Sequence, residues 1–266
     1  MLGFNGGLLG KQRVPTTAGT SGLWFPDEQN VAMREAIWPA GIGIDPNFSS
    51  VSLLLHMDGS NGSTTFTDGS LNALTVTANG NAQISTTQQK FGTACGLFDG
   101  SGDYLSLAAS ALFDVGSGIA FTAECFVRRN VNGIGGNIFS QRILFTDKAP
   151  FEVNFNGSGQ VSWLVANAAV SSWAYNQTSA SSNIIAFNTW HHVALVGTGS
   201  TISLYVDGVS IFSGAQPSWT SANRSLYIGS GGGEPLNGRI DEFRFTKGVA
   251  RYTANFTPPN TPFPSA

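Results

Sequence analysis

Two aspartates four residues apart, Asp99 and Asp103, sit in the run D-G-S-G-D that leads into Tyr104. A hard cation takes several oxygens, and a Gly/Ser turn lets backbone carbonyls converge beside two carboxylates, so the pair is a candidate Ca2+ site. The same aspartates serve equally well as turn caps that accept from nearby backbone N–H groups. His191 and His192 are adjacent on an apparent strand, so they point to opposite faces and do not chelate one ion together, and His56 lies far off in sequence. Glycoside hydrolysis needs two carboxylates facing one cleft. Asp241 and Glu242 are neighbours, and neighbours on a strand diverge, which argues against retaining or inverting hydrolysis. The glycines of G-S-G-G-G-E-P lack a following Lys-Ser/Thr and a helix, which argues against phosphate cradling. No G-x-S-x-G elbow offers a nucleophile with a partner His and Asp. Trp173, Tyr175 and Trp219 lie in or near loops, where rings stack on sugar faces; core or subunit packing explains them as well.

The elements that must position these groups read as β-strands. Trp190 to Val196 and Ile202 to Val206 are short runs rich in β-branched and aromatic residues around a G-T-G-S-T tip, and Asp207-Gly208 follows at once. Asp-Gly suits a type I′ turn, which needs positive φ at both central positions, so the stretch predicts a three-stranded meander. Further strands are expected at 51–57, 74–77, 91–98, 104–107, 121–127, 137–146, 151–155, 160–166, 184–187, 226–228 and 240–245. The segment 167–183 reads as a long loop or a strand pair. Phe121 to Val127 is apolar on both faces, which two packed sheets explain better than one solvated sheet.

Composition agrees. In 266 residues there are 33 glycines and only 11% charged residues, a profile of many short strands and tight turns and not of a helical protein. The length allows one large all-β domain. A net charge of −3 gives no electrostatic reason to expect nucleic acid or an anionic membrane as partner. No apolar run is long enough to span a bilayer, and the first residues lack the features of a secretory signal, so folding in a cytoplasm is expected. Cys95 and Cys125 are then read as buried reduced thiols, with a disulfide as the alternative.

The meander sequence W-H-H-V-A-L-V followed by L-Y-V-D-G-V resembles the signature of laminin G-like, concanavalin A-like jelly-roll domains. L-F-D-G-S-G-D-Y-L-S-L at 97–107, F-T-A-E-C-F-V-R-R at 121–129 and the stretch 226–259 extend the resemblance, which covers about residues 48–259. It implies an antiparallel β-sandwich. Relatives with D-G-S-x-D-Y and I-D-E motifs resemble calcium binders, which adds Asp241 to Asp99 and Asp103. The glucanases of this fold carry an E-x-D-x-E strand that Asp241-Glu242 does not match, so the chain is expected to be no enzyme.

The domain expected at 48–252 is flanked by an arm, 1–47, and a Pro-rich extended tail, 253–266. Pro26-Asp27-Glu28 opens a short helix that Trp38-Pro39 closes. Trp24, Phe25, Val31, Ile37 and Trp38 gather apolar surface there as an assembly interface. This leader resembles those ahead of laminin G-like domains in structural proteins of tailed phages, cyanophages among them. The expectation is a virion structural protein assembled in the host cytoplasm, a cement or decoration, neck or tail-fibre component. Its arm and tail would grip other virion proteins, and it would form a homo-oligomer such as a trimer. The alternative is a lectin-like module for a host surface glycan, with or without calcium.

Overall fold

The computed structural model describes residues 44–266 except 117, 143, 145, 183, 221–223 and 232. The arm expected at 1–47, its helix and Trp24, Phe25, Val31, Ile37 and Trp38 fall outside the described residues, apart from 44–47.

The described chain is an antiparallel two-sheet sandwich. Its strands are β1 (Val51–Leu55), β2 (Thr77–Asn79), β3 (Gln83–Ser85), β4 (Cys95–Asp99), β5 (Tyr104–Ser110), β6 (Ala120–Arg129), β7 (Gly136–Ser140) and β8 (Phe151–Phe155). Then follow β9 (Val161–Ala166), β10 (Trp173–Thr178), β11 (His191–Thr198), β12 (Thr201–Val206), β13 (Val209–Ala215), β14 (Arg224–Ile228) and β15 (Asn237–Lys247). One sheet of eight runs β13-β12-β11-β6-β15-β4-β3, with β1 also on β15; the other, of seven, runs β10-β9-β8-β7-β14-β5-β2. Alternate residues of both sheets, Val127, Val193, Ile240 and Phe245 from one and Leu107, Val153, Trp163 and Ile228 from the other, share one buried core.

The meander forms as expected. Asp207 and Gly208 have φ of 49° and 77°, the positive values a type I′ turn requires, and Val206 pairs with Val209 across it. Some strands are shorter than their apolar runs. The run at 137–146 stops at Ser140 because the Ser140 hydroxyl takes the Arg142 N–H at 2.7 Å, ending the ladder locally. The run at 91–98 becomes a strand only at Cys95, since the amides of Lys90, Phe91, Thr93 and Ala94 are held by carboxylates of Asp241 and Asp58. Residues 184–187 make only isolated bridges.

In β15 the register slips between Asp241 and Arg244, and Glu242 has φ 52°. This is a bulge, one extra residue that turns a side chain to the other face. Ile240, Phe243 and Phe245 point into the core, so Asp241 and Glu242 both emerge on the outer face. The bulge also lets β15 pair with β4 through 237–240 and with β1 through 243–246.

The Pro-rich tail runs extended on the outer face of the eight-stranded sheet, as prolines without an N–H donor favour. It packs on the chain's own sheet. Tyr252 and Phe256 stack at 3.6 Å over Ala194, Val196 and Tyr205. Phe263, 3% exposed, packs with Phe48, Val51, Leu54 and Phe126. Cys95 and Cys125 are buried and free, and burial pushes the Cys95 thiol up to about 12.

Candidate functional site

Under the tail lies a sealed polar layer. Glu124, fully buried on β6, accepts from Arg244 Nε and Nη2 at 2.9 and 2.7 Å, from the Tyr252 hydroxyl at 2.8 Å, and meets His192 Nε2 at 3.2 Å. Asp45 takes Arg244 at 3.2 Å and Arg251 at 2.6 and 3.1 Å. Two carboxylates thus balance two guanidiniums, the condition under which buried charge is tolerated. Burial opposes ionisation of Glu124, but Arg244, His192 and Arg251 outweigh it and hold its pKa at about 2.

Beside this layer the β15 bulge builds a second cluster. Asp241 Oδ2 accepts the amides of Lys90 and Phe91, and its buried Oδ1 has no partner. Burial is the main cause that pushes its pKa up to about 7. Glu242 holds His56 Nδ1 at 2.9 Å and the Phe263 amide at 2.9 Å, while His56 Nε2 meets the Ser265 hydroxyl at 2.9 Å. Hydroxyl, imidazole and carboxylate in that order match a hydrolase relay. Here the carboxylate also anchors Phe263, two residues from Ser265, so the three groups clasp the tail. The other histidines are equally engaged: His191 meets Asp207 at 2.6 Å and accepts the Ala186 amide at 2.9 Å.

The carboxylates proposed for calcium do not converge. Asp103 accepts the amides of Asn81 and Asp99, and Asp99 accepts the Ser101 amide and the Asn81 side chain. Each of their four oxygens takes one N–H donor, which is the turn-capping arrangement. Asp241 stands four residues along β15 from Asn237, the residue opposite Asp99. Among the described residues no group of three His, Cys, Asp or Glu could hold a metal. As placed, this donor set does not fit Ca2+.

The three aromatics are dispersed. Trp219, 1% exposed, donates from Nε1 to Ala166 O at 2.9 Å. Tyr175 stacks on Trp163 at 5.1 Å and donates to Ala215 O at 2.9 Å. Trp173, half-buried, lies between Arg142 and Lys148, 5.3 and 4.9 Å from its ring centre.

An open groove lies on the outer face of the seven-stranded sheet. Thr77, Ser106 and Tyr227 form a row across β2, β5 and β14, which continues through Ser140, Glu152, Leu164 and Asn176. Tyr104 and Tyr227 meet edge to face at 6.1 Å, and with Thr77, Ser106, Ala108 and Ser225 they line a shallow volume of about 330 Å3. Gly231 covers the row on the β7 side: its carbonyl accepts from Asn137, and a Cβ on it would overlap Asn137 and Ser140. Rings beside hydroxyls on a rigid sheet offer a saccharide both stacking faces and hydrogen-bond partners. Sequence reading missed these tyrosines because each looks like an ordinary strand residue; only the transverse register joins them.

The family profile described as the concanavalin A-like lectin/glucanases superfamily (Laminin_G_3) matches residues 99–251, and the chain belongs to this family. No curated protein sequence matches it. Among solved structures it is similar to the binding domain of Paraclostridial Mosquitocidal Protein 1, at 15% identity and TM-score 0.60, covering 77% of this chain and 50% of that one. It is also similar to the botulinum neurotoxin serotype D binding domain, at 14% identity and TM-score 0.55, covering 76% and 49%. The chain therefore spans about half the length of these two. Domain 4 of AbnA, a GH43 extracellular arabinanase from Geobacillus stearothermophilus solved with arabinotriose, matches at 16% identity and TM-score 0.53, covering 76% and 94%. These likenesses are likenesses of fold.

Proposed function

We propose that the chain is a non-catalytic glycan-binding module, with the groove between Tyr104 and Tyr227 as the sugar site. The observation that carries this reading is the pair of half-buried tyrosine rings flanked by Thr77, Ser106 and Ser225 on the outer face of the seven-stranded sheet. The named structures are binding domains or an oligosaccharide complex, which supports a binding role over a hydrolytic one. Trp173, on the same face and half-buried, is a second contact. The test is binding of the full chain to arabinotriose and to a panel of neutral and acidic oligosaccharides. Tyr227→Ala and Tyr104→Ala are expected to weaken the retained sugar about 10-fold each, with little change in melting temperature. A panel without any bound saccharide, or binding indifferent to both substitutions, overturns the reading.

The leader resemblance supports a finer reading: the module is carried by a tailed-phage virion, assembled in the host cytoplasm, and attaches through residues 1–47 to other virion proteins as a homo-oligomer such as a trimer. Removing residues 1–43 is expected to abolish incorporation into particles and to leave sugar binding unchanged. Particles that still incorporate the truncated chain overturn it.

A further inference from the structure

One positively charged cluster lies outside both the groove and the sealed layer. Arg128 on β6 is directly opposite Arg239 on β15. Their neighbours Val127 and Ile240 point into the core, which puts both guanidiniums on the outer face of the eight-stranded sheet. They share one acceptor, Asn130 Oδ1, at 2.7 and 2.9 Å, and Arg239 also donates to Thr87 Oγ1 at 3.3 Å. Both acceptors are neutral. Among the described residues every ion pair within 4.0 Å lies elsewhere. The carboxylate in the adjoining row, Asp241, is turned to the amides of Lys90 and Phe91.

Like charges directly opposite on neighbouring strands repel, and partial burial withholds the water that would screen them. Arg128 is 9% exposed, Arg239 is half-buried, and Nε of Arg239 is buried without a partner. Two planar forks side by side have the geometry that grips a carboxylate or sulfate with several charge-assisted hydrogen bonds. Trp190 precedes His191, the partner of Val127, which carries it alongside Arg128. Its half-buried ring is fixed by Nε1 donating to Gln88 O at 3.0 Å.

We propose that Arg128 and Arg239, with Thr87 and Trp190, form a second binding site, for the oxyanion of an acidic saccharide, either a uronate carboxylate or a sulfate ester. The oxyanion half stands on the arginine pair alone; the saccharide half rests on the glycan-binding reading.

Calorimetric titration of the full chain with trigalacturonate, sodium sulfate and arabinotriose separates the parts. Trigalacturonate is expected to bind, to weaken as salt is raised, and to lose about 10-fold or more in Arg239→Gln and in Arg128→Gln. Arg239→Lys, which keeps the charge without the fork, loses less and serves if the glutamine variant fails to fold. Arabinotriose binding is expected to be unchanged by these substitutions and weakened about 10-fold in Tyr227→Ala. Trigalacturonate and sulfate both failing to bind, or binding equally to wild type and the arginine variants, overturns the site while leaving the groove reading standing. Arginine-dependent binding of sulfate with no saccharide bound keeps the oxyanion site and overturns its sugar carrier.

Discussion

Asp241 is the side chain on which the outer-face chemistry turns. Its folded pKa, near 7, stands above the unfolded value of 3.8, so the fold prefers it protonated. The sign follows: the group costs nothing below about pH 4, and stability is lost as pH rises from there through about 7. Asp241→Asn keeps an acceptor for the Lys90 and Phe91 amides and removes the titration. Its melting temperature relative to wild type is expected to be a few degrees higher at about pH 8 than at about pH 5. An equal difference at both would show that Asp241 stays ionised throughout. His56 acts in the same direction, since hydrogen bonding to Glu242 raises its pKa and the clasp weakens as that proton is lost. For Asp99 and Asp103 the expected outcome is negative: calcium or a chelator leaves thermal unfolding unchanged, because the two carboxylates cap the turn and among the described residues no third His, Cys, Asp or Glu joins them. A rise of several degrees with calcium would restore the cation site.

At the level of the element, the Asp207-Gly208 turn fixes more than the β12–β13 hairpin. Gly208 O accepts the Phe256 amide at 2.9 Å, and a Cβ on Gly208 would overlap the Phe256 carbonyl. Gly208→Ala is therefore expected to cost about 1–3 kcal/mol through positive φ alone and to lift 252–258 off the sheet, read as faster hydrogen exchange at Phe256. The meander and this turn were legible because alternation and Asp-Gly are local signals. The β15 bulge was not: nothing in I-D-E-F-R-F distinguishes a regular strand, where Asp241 and Glu242 would diverge, from a bulged one where both face outward. The short strand β3 escaped for the same reason, since three polar-rich residues carry no period, and the strand expected at 74–77 forms instead at Thr77–Asn79 as β2. The Arg128–Arg239 pairing needs a register across residues more than a hundred positions apart.

For the whole molecule, residues 45–265 form one compact unit. A fragment of that span is expected to unfold cooperatively at the temperature of the full chain; a lower melting point would mean that residues 1–44 contribute to the body. The two-layer architecture was legible from composition and from apolar runs on both faces of 121–127. The tail's role was not, because a proline-rich run says only that it cannot join a central strand, and Phe256 and Phe263 find their places through the third dimension.

Asp45, where the sandwich starts, is gripped by Arg244 and by Arg251, where the last strand has just ended. The polypeptide thus enters the sandwich where its last strand ends, at a doorway bolted by a single carboxylate, and the tail comes back to it as Phe263 packs against Phe48. A body with that layout can be spliced into a surface loop of a host protein without prising the loop apart. The same body can be carried in the middle of a larger polypeptide as readily as at its end.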